Sequence, residues 1–311
     1  MKVLKTINLS FLGKKQQGKV RDIYKKNNKL ILITTDRISA FDRVLGFIPH
    51  KGQVLNLLSQ FWFEKTNGIV ENHMISVPDP NVLIAKKCQA LPIEIVVRGY
   101  ISGVTKTSLW FNYSEGKRLI YGLRFSDGLK KNQKLPKPII TPTTRGTGAG
   151  GHDEKISKKE ILKRKIVSPK LYRQIEKAAF GLFDRGTKIC AKGGLILVDT
   201  KYEFGLYKGK LTLIDEVHTP DSSRFWIKKT YKQRIKKGLE PENFDKEFFR
   251  LWYAKKNYRG DGTPPKMPLY YQLLVSRRYR KLYEMITGKK IVSSKEPIEK
   301  RIRNNLKNKY L

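Results

Sequence analysis

Residues 195–224, LILVDTKYEFGLYKGKLTLIDEVHTPDSSR, restrict the fold more than any other stretch of this chain. Aliphatic and β-branched residues run through 195–204, a glycine-closed turn follows at Tyr207-Lys208-Gly209, and a second apolar run occupies 211–215, so a β-hairpin is predicted. Strand side chains alternate between faces. Asp199, Lys201 and Glu203 therefore share one face, and Val198, Thr200, Tyr202 and Phe204 take the other. If the register permits, the returning strand brings Asp215 beside Glu203, and two carboxylates then face one point. Such a pair repels itself unless a cation intervenes, and Mg2+ is commonly held by one or two carboxylates together with nucleotide phosphates. The competing reading is a half-buried hairpin whose alternating charges simply face water.

The rest of the composition permits a folded protein with a substantial core. The chain has 311 residues, 39% hydrophobic and 11% aromatic, enough for one large or two modest domains. No apolar run approaches the roughly 20 residues of a membrane helix, and the first residues, MKVLKTINLSFLGKK, lack a secretory pattern, so a cytoplasmic protein with no membrane partner is expected. Cys88 and Cys190 are isolated, which suggests neither disulfides nor a zinc site. The net charge of +38 is what an electrostatic nucleic-acid binder would show. The lysines, however, are spread through almost every segment and accompany abundant Asn, Ile and Tyr, as an AT-rich coding bias would produce. No specific nucleic-acid partner is expected.

Along the chain, residues 20–35 read as strand, turn at Asn27-Asn28, strand. The preceding GKKQQGKV resembles a P-loop but ends in Val20 where a Ser or Thr would be needed, and it leads into a hairpin rather than a helix. A glycine turn lying over a triphosphate fits better, with Lys19, joined by Arg21, adding charge; a surface lysine loop is the plainer alternative. Asp36, Ser39 and Asp42 are read as a loop at a strand end, either functional or capping the next element. Leu55, Leu58, Phe61 and Trp62 have helical spacing. A buried strand at 93–97 runs into Arg98 and Gly99, placing a guanidinium where it can take a phosphate or carboxylate or reach solvent. Residues 110–121 read as aromatic and turn-like, and 135–157 as a long Pro/Gly/Thr loop carrying His152-Asp153-Glu154. A helix is predicted from N-cap Ser168 and Pro169 to Gly193-Gly194, burying Leu171, Ile175, Ala178 and Leu182. Helical, basic segments follow Arg224.

Taken together, GKVRDIY, DRISAFD, KGQVLNLLSQFWFEKT, PIEIVVRGYISG, PIITPTT, GHDEKIS, VDTKYEFG, DEVHTPDSSRFW and FDKEFFRLW resemble the SAICAR synthetase (phosphoribosylaminoimidazole-succinocarboxamide synthase) family in its longer variety, over about residues 18–288. The resemblance implies an α/β (α+β) fold in two lobes: a kinase-like, β-rich nucleotide-binding lobe at about 1–92, and an α/β lobe with the substrate and metal site at about 93–311. It implies an ATP- and Mg2+-dependent ligation of carboxyaminoimidazole ribonucleotide (CAIR) to L-aspartate through an acyl phosphate. By the same resemblance Lys201, Glu203 and Asp215 are catalytic, Glu203 and Asp215 hold the metal, and Gly18, Lys19 and Lys87 contact ATP. Ser39, Arg98, Ser108, Asp199, Asp221 and Arg224 hold the substrates. Many family members read Gly-Ser-x-Trp where this chain inserts Val104-Thr105-Lys106-Thr107 before Ser108, and a lysine where it has Arg145. A small-molecule kinase of related fold is the alternative; a protein kinase would need an H-R-D-x-x-x-x-N loop and D-F-G, which are missing.

Overall fold

The computed structural model describes residues 2–146 and 153–310, with side chains to 307 in the last helix. Two sheets organise it, antiparallel throughout except for one short parallel pairing between Lys210–Ile214 and Glu71–Asn72. The first has five strands in the order Lys15–Gln17, Arg21–Lys26, Lys29–Thr34, Val82–Lys86, Met74–Asp79. Its Asn27-Asn28 turn falls where the sequence places it, with Asn27 at φ +53°. The glycine turn at Gly18-Lys19 joins two strands of this sheet, as a kinase-like arrangement requires. The N-terminal segment and the helix Ile298–Tyr310 pack on it, so Leu4, Ile7 and Leu12 share a core with Tyr24, Ile31, Ile302 and Leu306.

The second sheet has six strands, running Lys134–Thr144, Gln89–Tyr100, Leu195–Tyr207, Lys210–Ile214, Glu71–Asn72, with Ser223–Ile227 also paired to Leu195–Tyr207. The strand Lys134–Thr144 corrects the sequence reading of a loop over 135–157. Pro136, Pro138 and Pro142 suggest a loop, but this is an edge strand, where a missing N–H costs no ladder bond. Likewise Leu109–Ser114 is a helix within the segment read as turn-like, and Arg37–Ala40 pairs with Arg43–Phe47 as a hairpin where a loop was expected. His152 and the glycines Gly148, Gly150 and Gly151 lie outside the described residues.

One irregularity decides what the central strand offers. Leu195 and Leu197 lie in the main core with Tyr202 and Phe204, although their positions differ in parity. The ladder to Ser223–Ile227 explains this: Leu197 pairs with Phe225 and Asp199 with Arg224, leaving Val198 as the extra residue of a β-bulge. A one-residue shift exchanges faces. Without it, a strand that buries Leu195 and Leu197 would also bury Asp199, Lys201 and Glu203 among the apolar side chains. Val198 therefore packs with Tyr100 and Trp226 instead of with Tyr202, contrary to simple alternation.

The helix Pro169–Lys192, capped by Ser168, covers the apolar face with Tyr172, Ile175, Ala178 and Leu182; Leu171 is only partly buried. Helices Lys51–Lys65 and Leu269–Thr287 complete that core through Leu55, Leu58, Trp62, Val275 and Tyr279. Among the described residues no helix is long and apolar enough to cross a membrane.

Candidate active site

The opposite face of the six-stranded sheet carries charge in register. Along Gln89–Tyr100, Glu94, Val96 and Arg98 alternate onto the same side, and they pair with Glu203, Lys201 and Asp199 of the antiparallel neighbour. At one end Arg98 meets Asp199; at the other, two glutamates stand opposite each other with Lys201 adjacent.

Asp199 is buried between two guanidinium groups. Its Oδ2 accepts from Arg98 Nη1 at 3.2 Å and from Arg224 Nη1 at 2.6 Å, the second arriving from the strand on its other side. Arg98 is further fixed by donating Nε to Thr141 Oγ1 at 2.8 Å and Nη2 to the Thr107 carbonyl at 3.2 Å. Arg224 Nε is buried without a partner. Arg224 also lies 3.6 Å from the Glu247 carboxylate, and removing one partner of such a buried pair typically costs about 3–5 kcal/mol.

At the other end Lys201 Nζ donates to Glu94 Oε1 at 2.5 Å and to Glu203 Oε1 at 2.8 Å. Like charges directly opposite on a ladder destabilise it unless a cation joins them, and Lys201 does so. Burial works against the ammonium, yet Glu203 and Glu94 hold its pKa above the usual lysine range. Burial raises the Glu94 carboxyl, against the pull of Lys201 and with the push of Glu203. Glu203 Oε2 is buried and makes no hydrogen bond; Arg145 Nη2 lies 3.1 Å from it, close enough for attraction but out of hydrogen-bonding line.

Asp215 stands just beyond the strand Lys210–Ile214, where sequence reasoning placed it inside. Glu203 pairs with Ile214, so a continued strand would turn Asp215 to the opposite face. Its φ of +68° redirects it instead. Asp215 forms an ion pair with Arg21, which also donates to Glu216 at 3.3 Å. Although burial raises it, Arg21 and Lys201 bring the Asp215 carboxyl well below the usual range. Because Arg21 belongs to the five-stranded sheet, this pair ties the metal-candidate loop to the Gly18-Lys19 turn. That turn is held from behind, its Gly18 and Lys19 carbonyls accepting from Arg37, while Lys19 itself is exposed and pairs with Asp42. Lys87 is exposed at the end of the same sheet.

Asp221 is enclosed. Oδ1 accepts from Tyr279 Oη at 2.7 Å, and Oδ2 lies 2.9 Å from Lys51 Nζ and 3.5 Å from Lys246 Nζ. A cavity of about 320 Å³ brings together Arg98, Ser108, Asp199, Lys201, Asp221 and Arg224. Glu203 adjoins it through Lys201, whereas neither Asp215 nor its partner Arg21 lines it. Ser108 turns its hydroxyl to the Thr105 carbonyl at 2.6 Å. Ser39 is buried in its hairpin, apart from the residues lining this cavity.

Sequence reasoning missed Glu94, Lys51, Lys246 and Arg250. Glu94 carried a usable signal, since it alternates with Arg98 on a strand whose other face is Ile93, Ile95 and Val97. Lys51 and Lys246 carried none, because a lysine opening a helix in a chain this basic looks like surface.

Both Glu203 and Asp215 suit a hard divalent cation chemically, and Glu203 Oε2 is a buried acceptor that makes no hydrogen bond, with the Arg145 guanidinium 3.1 Å away. Among the described residues no group of three or more His, Cys, Asp or Glu side chains is placed to hold a metal ion.

The comparisons agree over nearly the whole chain. The family model for SAICAR synthetase matches residues 14–266. A phosphoribosylaminoimidazole-succinocarboxamide synthase of Legionella pneumophila (strain Paris) is 51% identical over 299 residues, 94% of this chain and 95% of the relative. A chloroplastic one of Arabidopsis thaliana is 51% identical over 93% of this chain and 71% of its own length. Among solved structures, the SAICAR synthase of Saccharomyces cerevisiae complexed with SAICAR has a TM-score of 0.79 at 31% identity, covering 93% of this chain and 100% of that one. A SAICAR synthetase in complex with ADP has a TM-score of 0.68 at 26% identity, covering 90% and 100%. The charged ladder beneath the cleft is thus set in a chain that belongs to the SAICAR synthetase family, the phosphoribosylaminoimidazole-succinocarboxamide synthases.

Proposed function

We propose that the chain is an ATP-dependent carbon–nitrogen ligase of purine biosynthesis that joins CAIR to L-aspartate, giving SAICAR, ADP and phosphate. The observation that carries this reading is one cavity bordered both by the Arg98–Asp199–Arg224 centre and by Lys201 with Glu94, Glu203 standing behind Lys201. One end suits a substrate phosphate, the other the transfer of a phosphoryl group to a carboxylate. A carboxylate is a poor electrophile. Phosphorylation makes it an acyl phosphate; the aspartate amine then forms the C–N bond as the acyl C–O bond breaks, phosphate departs and the amine proton passes to solvent.

In this reading Arg98 and Arg224 grip the ribonucleotide with forks held rigid by Asp199, and Ser108 stands beside them. Lys201 keeps its proton between Glu94 and Glu203 and offers fixed positive charge to phosphoryl oxygens. The 1–92 lobe holds ATP through Gly18, Lys19 and Lys87, and the 93–311 lobe holds the remaining substrates. Ser39 reaches substrate only if its hairpin moves. Glu203 and Asp215 would hold Mg2+, which when bound offsets phosphate charge. A cytoplasmic setting accords with soluble, anionic substrates. The test is ADP release with CAIR, L-aspartate or both omitted: the ligase requires CAIR for release and aspartate for product, whereas release indifferent to CAIR defeats the reading and favours a kinase for some other acceptor.

A further inference from the structure

The loop that separates Gly103 from Ser108, residues 104–107, belongs to neither a helix nor a strand, so its carbonyls depend on donors outside any ladder. Other groups of the protein supply them. The Thr105 carbonyl accepts from the Ser108 amide at 2.8 Å and from its hydroxyl at 2.6 Å. Asn112 is fully buried, and its Nδ2 donates to the Lys106 and Ser108 carbonyls, each at 2.8 Å. The Thr107 carbonyl is shared differently: it accepts from Tyr121 Oη at 2.6 Å and from Arg98 Nη2 at 3.2 Å.

Tyr121 holds this position against its local preference. The strands Leu119–Ile120 and Leu123–Arg124 are joined by the two-residue turn Tyr121-Gly122, at φ +58° and +77°. Asn, Asp or Gly is the usual first residue of such a turn, because a bulky side chain is disfavoured in the left-handed region. Here the ring is buried with Ile101, Leu109, Tyr113, Ile120 and Leu135. Those apolar contacts would serve a phenylalanine equally; the hydroxyl is the part that reaches Thr107. Burial raises the phenol above its ordinary value, against the pull of Arg98, so the hydroxyl keeps at neutral pH the proton that it donates.

We propose that Tyr121 is a positioning residue for the ribonucleotide: its hydroxyl fixes the Thr107 peptide, and through that carbonyl the Arg98 fork that grips the substrate phosphate. This assignment rests on the ligase reading. Arg98, Thr107 and Ser108 line the 320 Å³ cavity and Tyr121 does not, so its effect on substrate passes through them. A carbonyl oxygen has two acceptor sites, and with Tyr121 on one the other stays aimed at Arg98 Nη2. The remaining bonds of Arg98 run through other nitrogens, Nε to Thr141 and Nη1 to Asp199. Without the hydroxyl the loop peptide can rotate, and the nitrogen that completes the fork loses its fixed direction.

The test measures kcat, the KM values for CAIR, ATP and L-aspartate, and thermal unfolding in wild type, Tyr121→Phe, Tyr121→Asn, Arg98→Lys and the double variant Tyr121→Phe/Arg98→Lys. Tyr121→Phe keeps the ring in its cluster, so it should melt close to wild type and raise KM for CAIR about tenfold, with KM for ATP and aspartate unchanged. Tyr121→Asn suits the left-handed turn but cannot reach Thr107; it should raise KM for CAIR at least as far, and it decides alone if the phenylalanine variant does not fold. In Arg98→Lys the Nη2 donor is gone, so adding Tyr121→Phe should change KM for CAIR by less than about twofold, as expected of two residues that act as one unit. A wild-type KM for CAIR in Tyr121→Phe, a rise shared equally by all three substrates, or a full effect of Tyr121→Phe in the Arg98→Lys background overturns the proposal. Wild-type protein without CAIR-dependent ADP release defeats the ligase reading itself, and this inference with it; CAIR-dependent release with an unchanged KM in the variants defeats this inference alone.

Discussion

Gly103 gives the sharpest test of how the substrate end of the cleft is assembled. It sits at φ +92°, and a Cβ there would stand 2.5 Å from Ser108 Cβ and 2.8 Å from Arg224 Nη2. Gly103→Ala therefore combines two effects. A left-handed backbone costs an alanine about 1–2 kcal/mol, and the backbone-anchored Ser108 Cβ must also retreat, which brings the destabilisation to roughly 2–4 kcal/mol. The Arg224 guanidinium is the end of a flexible chain and can swing away, but only by loosening its 2.6 Å bond to Asp199. Displacing a substrate-holding group by about 1 Å can lower activity by about 100-fold. Gly116→Ala is the control, because Gly116 has φ +79° and open space where the Cβ would lie. It should lose only the backbone component of stability and no activity. Thermal unfolding and KM for CAIR, ATP and aspartate in both variants decide the matter. If Gly103→Ala melts no lower than Gly116→Ala and keeps wild-type KM for CAIR, the packing of Gly103 against Arg224 and Ser108 does not build the site.

Glu203→Gln and Asp215→Asn should each lower kcat by about 100-fold or more and raise the Mg2+ concentration needed for half-maximal rate, since a hard cation loses an anionic ligand; near-normal turnover at ordinary magnesium refutes the metal assignment. Arg98→Lys and Arg224→Lys should raise KM for CAIR about 30-fold or more while sparing ATP, because an ammonium cannot reproduce the fork, and a loss selective for ATP counts against the assignment. The Asp245 carboxyl accepts from the Phe225 and Glu247 amides, and burial pushes it up to about 7 from 3.8. A raised carboxyl stabilises the fold fully below its unfolded value and loses that contribution as pH rises through its folded value. Stability should thus fall between about pH 4 and 7, less steeply in Asp245→Asn; an unchanged slope in the variant refutes the attribution. Nucleic-acid binding should be nonspecific and decline steeply with added salt, and a sequence preference surviving physiological salt would show a dedicated site.

The hairpin of residues 195–215 was legible because its apolar runs, glycine turn and alternating charges all point to one local structure. Lys208 at φ +50° and Gly209 at φ +76° form the tight connection that the sequence suggests. The edge strand Lys134–Thr144 was not legible, since its prolines locally favour a loop and only the neighbouring Gln89–Tyr100 makes them tolerable. Helix Leu109–Ser114 is six residues long, too short for a hydrophobic period to register.

The site was partly legible for a related reason. Charged residues at period two reveal which side chains share a face, but not which strand will lie opposite. Once Gln89–Tyr100 pairs with Leu195–Tyr207, Arg98 falls on Asp199 and Glu94 on Glu203. The first pairing neutralises charge. The second demands a cation, so Lys201 is bound to its position by two glutamates that are 109 residues apart in sequence, as their numbers give. The bulge at Val198 then turns this ladder toward the cleft while Leu195 and Leu197 remain in the core. Straightening the strand by deleting Val198 should therefore exchange the faces upstream or downstream of the deletion, and either outcome buries charge or exposes leucine. The variant should fail to fold, whereas Val198→Ala, which keeps the residue count and loses only packing against Tyr100 and Trp226, should fold with a lowered melting temperature and an intact active site. A folded, active deletion variant would show that the bulge does not set the orientation of Asp199, Lys201 and Glu203.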